Sequence, residues 1–220
     1  MPDGVYLEES DIWRLAEKNG NGNRITLYCL ERVIGFAVKH YIFEQGIRHL
    51  HISMTTMQIS SQEMIEQYCD ILLFHQIRPE QLVIEINVDQ ALPENILNEN
   101  IQYLRDKGFV VLLDQFGMNV CNLKDMLALP FDMAKFHQNM TKRFMQDRQM
   151  ELKHLVHMLR RQNWQIFLDG VDYSMPLGTF REMGVTGVQG ESMTPYMQED
   201  ELIDWLRWRG GDVHYENDTL

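Results

Sequence analysis

Long apolar runs are missing from this chain. No stretch approaches the roughly 20 residues that a membrane-spanning helix needs, which excludes a helical membrane span within these 220 residues. Basic residues are scarce: 20 Lys and Arg stand against 32 Asp and Glu, a net charge of -12 at pH 7. That balance repels phosphate backbones, so nucleic acid is not an expected direct partner. Only three cysteines occur, Cys29, Cys69 and Cys121. They are far apart and lack the paired spacing of a zinc site or a disulfide framework, so reduced thiols and a cytoplasmic location are expected. The start, Met1-Pro2-Asp3-Gly4, has neither the basic nor the apolar region of a signal peptide. There is no internal repeat, low-complexity tract or interdomain linker, and the length suits one domain, 1–208, followed by a polar tail at 209–220.

What is present is an alternation of short apolar segments with longer amphipathic ones, the pattern of strands buried under crossover helices. The expected class is α/β. Strands are predicted at 49–54, 82–87, 109–114, 133–137, 164–170 and 184–189, with helices near 28–45, 60–76, 94–107, 141–162, 176–183 and 199–208. Ser60 with Glu63 reads as a capping box, and glycines 46, 108 and 184 read as left-handed stops that feed the next strand. Polar residues collect at the strand ends: Ser53, Glu85 with Asn87, Asp114, Lys135 with His137, Asp169 with Asp172, and Gln189. In a parallel α/β barrel the carboxyl ends of the strands converge, so these side chains would line one mouth.

Read in order, LHISMTTMQI at 50–59, LVIEINVD at 82–89, LLDQFGMN at 112–119, AKFHQNM at 134–140, FLDGVD at 167–172 and GVQGES at 187–192 resemble the EAL domain. That family comprises cyclic-di-GMP phosphodiesterases and their inactive relatives. The resemblance implies a modified, TIM-like eight-stranded barrel whose active members hydrolyse cyclic-di-GMP with two Mg²⁺ or Mn²⁺ ions. Such chemistry needs several hard oxygen ligands around two neighbouring ions.

The ligand set that the resemblance implies is incomplete here. The Glu-Ala-Leu segment is expected ahead of residues 1–20 and does not occur in the sequence, and the Asn of the next strand matches Ser53. Glu85 is kept, but the second acidic position of its motif is Val88, and Asp89 beside it points elsewhere if pairing is regular. The Asp-Asp pair reads Asp114-Gln115; Lys135 matches the lysine near the attacking water, and the Asp two residues on is His137. Asp169 and Asp172 stand where the family has Glu, and Gln189 keeps its identity. Losing about three carboxylates removes most of the charge that holds divalent ions. The expectation is therefore no catalytic residues, with Glu85, Asp114, Lys135, Asp169 and Asp172 as vestigial positions, and no bound metal or cofactor.

Other features have plain readings. His137 is expected to be a satisfied polar residue, and His154 with His157, three apart on a helix, lacks an acidic third ligand. The 15 methionines suit core positions, with any exposed subset suiting an adaptable binding surface. Trp205 and Trp208 either cover the barrel or anchor a partner. Six strands cannot close an eight-stranded barrel, so an upstream segment, a partner chain or a second copy in a homodimer is expected at the open side. Three functions follow in order: an inactive regulatory or adaptor module acting through protein contacts, a metal-independent cyclic-di-GMP receptor using Glu85, Lys135, Asp169 and Gln189, and last a residual phosphodiesterase.

Overall fold

A computed structural model describes residues 12, 15, 16, 18–88, 94–117, 123–147, 149–191 and 193–209. All six predicted strands form: β1 (Leu50–Met54), β2 (Leu82–Asn87), β3 (Val110–Phe116), β4 (Met133–Phe136), β5 (Gln165–Leu168) and β6 (Gly187–Val188). They pair in sequence order, every neighbour parallel, into one six-stranded half-barrel. Helices α1 (Gly22–Lys39), α2 (Thr56–Ile59), α3 (Gln62–Phe74), α4 (Glu94–Asp106), α5 (Leu123–Ala128), α6 (Gln138–Asp147), α7 (Gln149–Arg160), α8 (Leu177–Met183) and α9 (Glu199–Arg209) pack around it.

The alternation of side chains along a strand divides the core into two layers. Leu82, Ile84 and Ile86 of β2, with Val111, Leu113, Ala134, Phe136, Ile166 and Leu168 of its neighbours, face the helices and meet Leu30, Ile34, Ile65, Ile101 and Val156. Each such buried aliphatic side chain contributes roughly 1.5–3 kcal/mol. The opposite face carries a smaller cluster of Val83, Leu112 and Met133, with Val110 and Phe167 against it. Above that cluster the same face turns polar, which sets the floor and the mouth of the half-barrel.

Local signals place the elements. The predicted Ser60–Glu63 capping box does not form. Ser60 closes the short α2, its hydroxyl donating to the Thr56 carbonyl, and Ser61 instead caps α3 by accepting from the Met64 N–H. A capping box does form one turn earlier, between Thr55 and Gln58. Gly184 ends α8 at φ 92°, a conformation that a side chain resists. The helix expected at 141–162 is seen as Gln138–Asp147 and Gln149–Arg160, with residue 148 outside the described residues.

Among the described residues β1 and β6 are the outer strands, and α9 packs beside β1. Ile203 and Leu206 of α9 pack with Ala37 and Ile42 beside α1, joined by Phe36, Leu50 and Trp205, and Arg32 forms an ion pair with Glu199. Inside, the rings of His51 on β1 and Phe167 on β5 meet edge to face at 6.2 Å. The sheet is therefore curled enough for its first and fifth strands to touch across the interior. Beside β1, helices α1 and α9 meet, while the facing edges of β1 and β6 pair with no further strand among the described residues.

Candidate functional site

The polar mouth follows from strand register. Ser53 pairs with Glu85, and Asn87 with Asp114, so each inward-facing polar residue meets another on the next strand. On β4, the same alternation turns Lys135 inward. Its ammonium lies 2.9 Å from each oxygen of Glu85 and 3.2 Å from Oδ1 of Asp114. His51 Nδ1 lies 2.8 Å from Glu85 Oε1. Glu85 and Lys135 are buried, each side chain keeping 11% of its exposure.

The electrostatics follow from these contacts. Burial pushes the Glu85 carboxyl up, but the hydrogen bond from His51 and the nearby Lys135 charge outweigh it, and the group sits below its ordinary range. Lys135 is pulled down by burial and pushed up further by Glu85 and Asp114, and ends above the ordinary lysine value. Asp114 ends above its ordinary value, because burial exceeds what Lys135 returns and the Glu85 charge adds to it.

The predicted binding residues do not surround one cavity. Glu85 and Asp114, with His51, Ser53, Gln58, Asn87 and Gln115, line a first cavity of about 500 Å³ beside α1. Asp169, Asp172 and Gln189, with Gln138, Lys142 and Tyr196, line a second of about 470 Å³ at the ends of β5 and β6. Lys135 lines neither. Two of the second cavity's carboxylates already serve neighbouring donors: Asp169 accepts from the Gly170 N–H at 2.8 Å, and Asp172 accepts from the N–H and hydroxyl of Ser174. Gly190 is required beside them, since a Cβ there would stand 1.8 Å from the Val171 carbonyl oxygen.

Sequence reasoning missed His51, Gln58 and Lys142. His51 was within reach, because period-two alternation sets it on the Ser53 face of β1. Gln115 adopts φ 54°, at the point where the β3–β4 pairing shifts register. His137 accepts from the Asn139 N–H, in keeping with a satisfied polar role. His154 and His157 sit on the exposed face of α7, opposite buried Leu152, Val156 and Leu159. Trp205 packs in the α1–α9 seam while Trp208 is exposed, as are Met57 and Met150. Asp89 and the tail at 210–220 lie outside the described residues.

A divalent ion would need Glu85 and Asp114 oxygens at about 2.0–2.6 Å. Lys135 spans both oxygens of Glu85, His51 takes one of them again, and the further acidic positions read Gln115 and His137. The residues present do not fit a two-metal centre.

A sequence model of the EAL domain matches residues 1–195. A curated relative, the probable cyclic di-GMP phosphodiesterase PdeB of Escherichia coli (strain K12), is 20% identical over 92% of this chain; the match spans 39% of its own length. Among solved structures, the PaMucR phosphodiesterase in complex with c-di-GMP superposes with TM-score 0.77 at 19% identity, over 92% of this chain and 83% of that one. The EAL domain of Xanthomonas citri FimX in complex with c-diGMP gives TM-score 0.75 at 15% identity, over 88% of this chain and 77% of that one. At these identities the superpositions speak for the fold.

Proposed function

The chain belongs to the EAL domain family, and from that premise we propose that it is a catalytically inactive member: a cytoplasmic regulatory or adaptor module of cyclic-di-GMP-related signalling that works through contacts with another protein or a second copy. One observation carries this reading. The ammonium of Lys135 and the imidazole of His51 already engage the carboxylate of Glu85, and Lys135 also engages Asp114. Hydrolysis by the family's two-ion route needs further carboxylates beside these two, and the positions that the resemblance assigns to them read Gln115 and His137.

The test is turnover. Incubated with cyclic-di-GMP and millimolar Mg²⁺ or Mn²⁺, the chain is expected to yield no linear dinucleotide. Product formation that disappears in Glu85→Ala would refute the proposal.

A second reading, a metal-independent receptor, draws support from the second cavity, where Asp169 and Gln189 meet Lys142 beside the exposed Tyr196. Isothermal titration separates the two. The adaptor reading expects no saturable heat with the nucleotide at micromolar protein, and a saturable isotherm lost in Gln189→Ala would favour the receptor. No helix among the described residues is long and apolar enough to cross a membrane.

A further inference from the structure

Helix α3 buries Met64, Ile65, Tyr68 and Leu72, which repeat along one stripe and join the core. The opposite stripe starts as a water-facing helix should, with Glu63, Glu66 and Asp70 exposed at helical spacing. The last turn breaks that pattern. Leu73 is 78% exposed and Phe74 82%, and among the described residues they are the one adjacent pair of large apolar side chains so bare. Single exposed apolar residues are ordinary on a protein surface, but a contiguous pair rimmed by charge marks a contact site.

The surroundings present this pair and do not hide it. The His75 ring meets Phe74 edge to face at 5.0 Å, which steadies the phenyl ring in its exposed position. Helix α1 packs against α3, and since β1 and β2, the strands that follow them, run parallel, the two helices end at the same end of the sheet. There Val38 and Tyr41, at and just past the end of α1, add further exposed apolar surface.

We propose that the C-terminal end of α3 is a docking surface for another protein, whose contacting segment carries apolar side chains flanked by Lys or Arg. The inference rests on the adaptor reading above and names the surface through which the adaptor acts. Charge selects the occupant. The apolar pair continues an acidic stripe on a chain of net charge -12 at pH 7, which attracts and steers a basic segment. The same charge repels a second copy and an anionic lipid surface, either of which an apolar patch alone would admit. Glu66 already engages Lys107 at 2.6 Å, so the contacts to a basic partner fall to Glu63 and Asp70, and Asp70 stands one turn before Leu73 and Phe74.

The experiment is fluorescence anisotropy with a labelled peptide of about 14 residues, leucines on one helical face and lysines on the other, added to the full chain. Saturable one-to-one binding is expected. It should weaken at least about tenfold in Leu73→Ser with Phe74→Ser, weaken less in Asp70→Asn, and stay unchanged in Trp208→Ser, which alters an exposed aromatic side chain one turn from Asp204 on α9. The same peptide with Glu in place of Lys should not bind, and raising salt from about 50 to about 500 mM should weaken the Lys peptide. Both serines replace exposed side chains, so the melting temperature should hold; should the double variant unfold, Phe74→Ser alone carries the test. Binding that survives the serine variants, binding lost in Trp208→Ser, or no binding at all overturns the proposal. So does a dimer in light scattering, or co-sedimentation with phosphatidylcholine–phosphatidylglycerol vesicles, that the serine variants abolish, because the surface would then serve a second copy or a membrane. None of these outcomes involves turnover or nucleotide titration, which judge the adaptor reading separately.

Discussion

Replacing Lys135 by Met tests whether the mouth is held by charge or merely decorated with it. The substitution keeps an unbranched apolar stem of similar length and removes only the ammonium. At an effective dielectric of about 20, an attraction across 2.9–3.2 Å is worth on the order of 5 kcal/mol before hydration is counted. Restoring water to the carboxylates recovers part of this, so the net loss should be about 3–5 kcal/mol, the usual result of stranding a buried partner. Against a total stability of about 5–15 kcal/mol that is a large fraction.

The loss should depend on pH, with a definite sign. Asp114 has a raised value in the folded chain, so its contribution is fully present below the ordinary 3.8 and falls away as pH rises through the folded value. Without Lys135 the repulsion between Glu85 and Asp114 is unrelieved, both values rise, and protonation becomes the remaining way to discharge the pair. Urea unfolding followed by circular dichroism should therefore show a smaller penalty at pH 5 than at pH 8. In a cycle with Glu85→Gln the two substitutions should be coupled by at least about 1 kcal/mol. A penalty under about 1 kcal/mol, identical at both pH values and additive with Glu85→Gln, would show that the cluster carries no structural charge interaction.

Three further outcomes are expected. Tyr68, wholly buried on α3 with a hydroxyl that makes no hydrogen bond among the described residues, should tolerate Tyr68→Phe with a gain of up to about 1 kcal/mol in urea unfolding. Burial, then the Cys29 charge, raises the Tyr68 phenol, and Lys135 is also raised, so both contributions hold below the ordinary 10.0 and 10.5 and fade as pH climbs through the folded values. Wild type should accordingly unfold in strong alkali, and Tyr68→Phe should move that transition to higher pH, as followed by far-ultraviolet circular dichroism. Gly190→Ala, whose Cβ would stand 1.8 Å from the Val171 carbonyl oxygen, should cost at least about 2 kcal/mol and lower the melting temperature by several degrees, measured by scanning calorimetry.

The sequence carried the strands because each is a compact apolar run bounded by turn residues, and β2 matches its predicted limits. It carried the polar mouth because period-two alternation points Ser53, Glu85, Asp114 and Lys135 to one face whatever packs behind them. Cap register was less legible: with serines at both 60 and 61, the choice depends on α2 ending first, a break that no local preference announces. The cluster itself was not legible. Lys135 reaches β2 and β3 from β4 across the curvature of the sheet, and His51 is placed by a ring on β5 that stands 116 positions away, 167 less 51. Nor could spacing reveal that Asp169 and Gln189 line a different cavity from Glu85, since that division is set by how the strand ends and loops pack together.

The seam between α1 and α9 places a constraint on the order of events during synthesis. Arg32 and Glu199 are 167 positions apart, so at about 5–20 residues per second roughly eight to thirty seconds separate their emergence from a ribosome. Throughout that interval Phe36, Ile42 and Leu50 have no α9 to cover them. The nascent chain thus carries a sticky apolar strip beside an outer strand until α9 is made. A cell that makes this protein must either shelter that strip during translation or accept aggregation there, and a premature stop before residue 199 would leave the strip permanently bare.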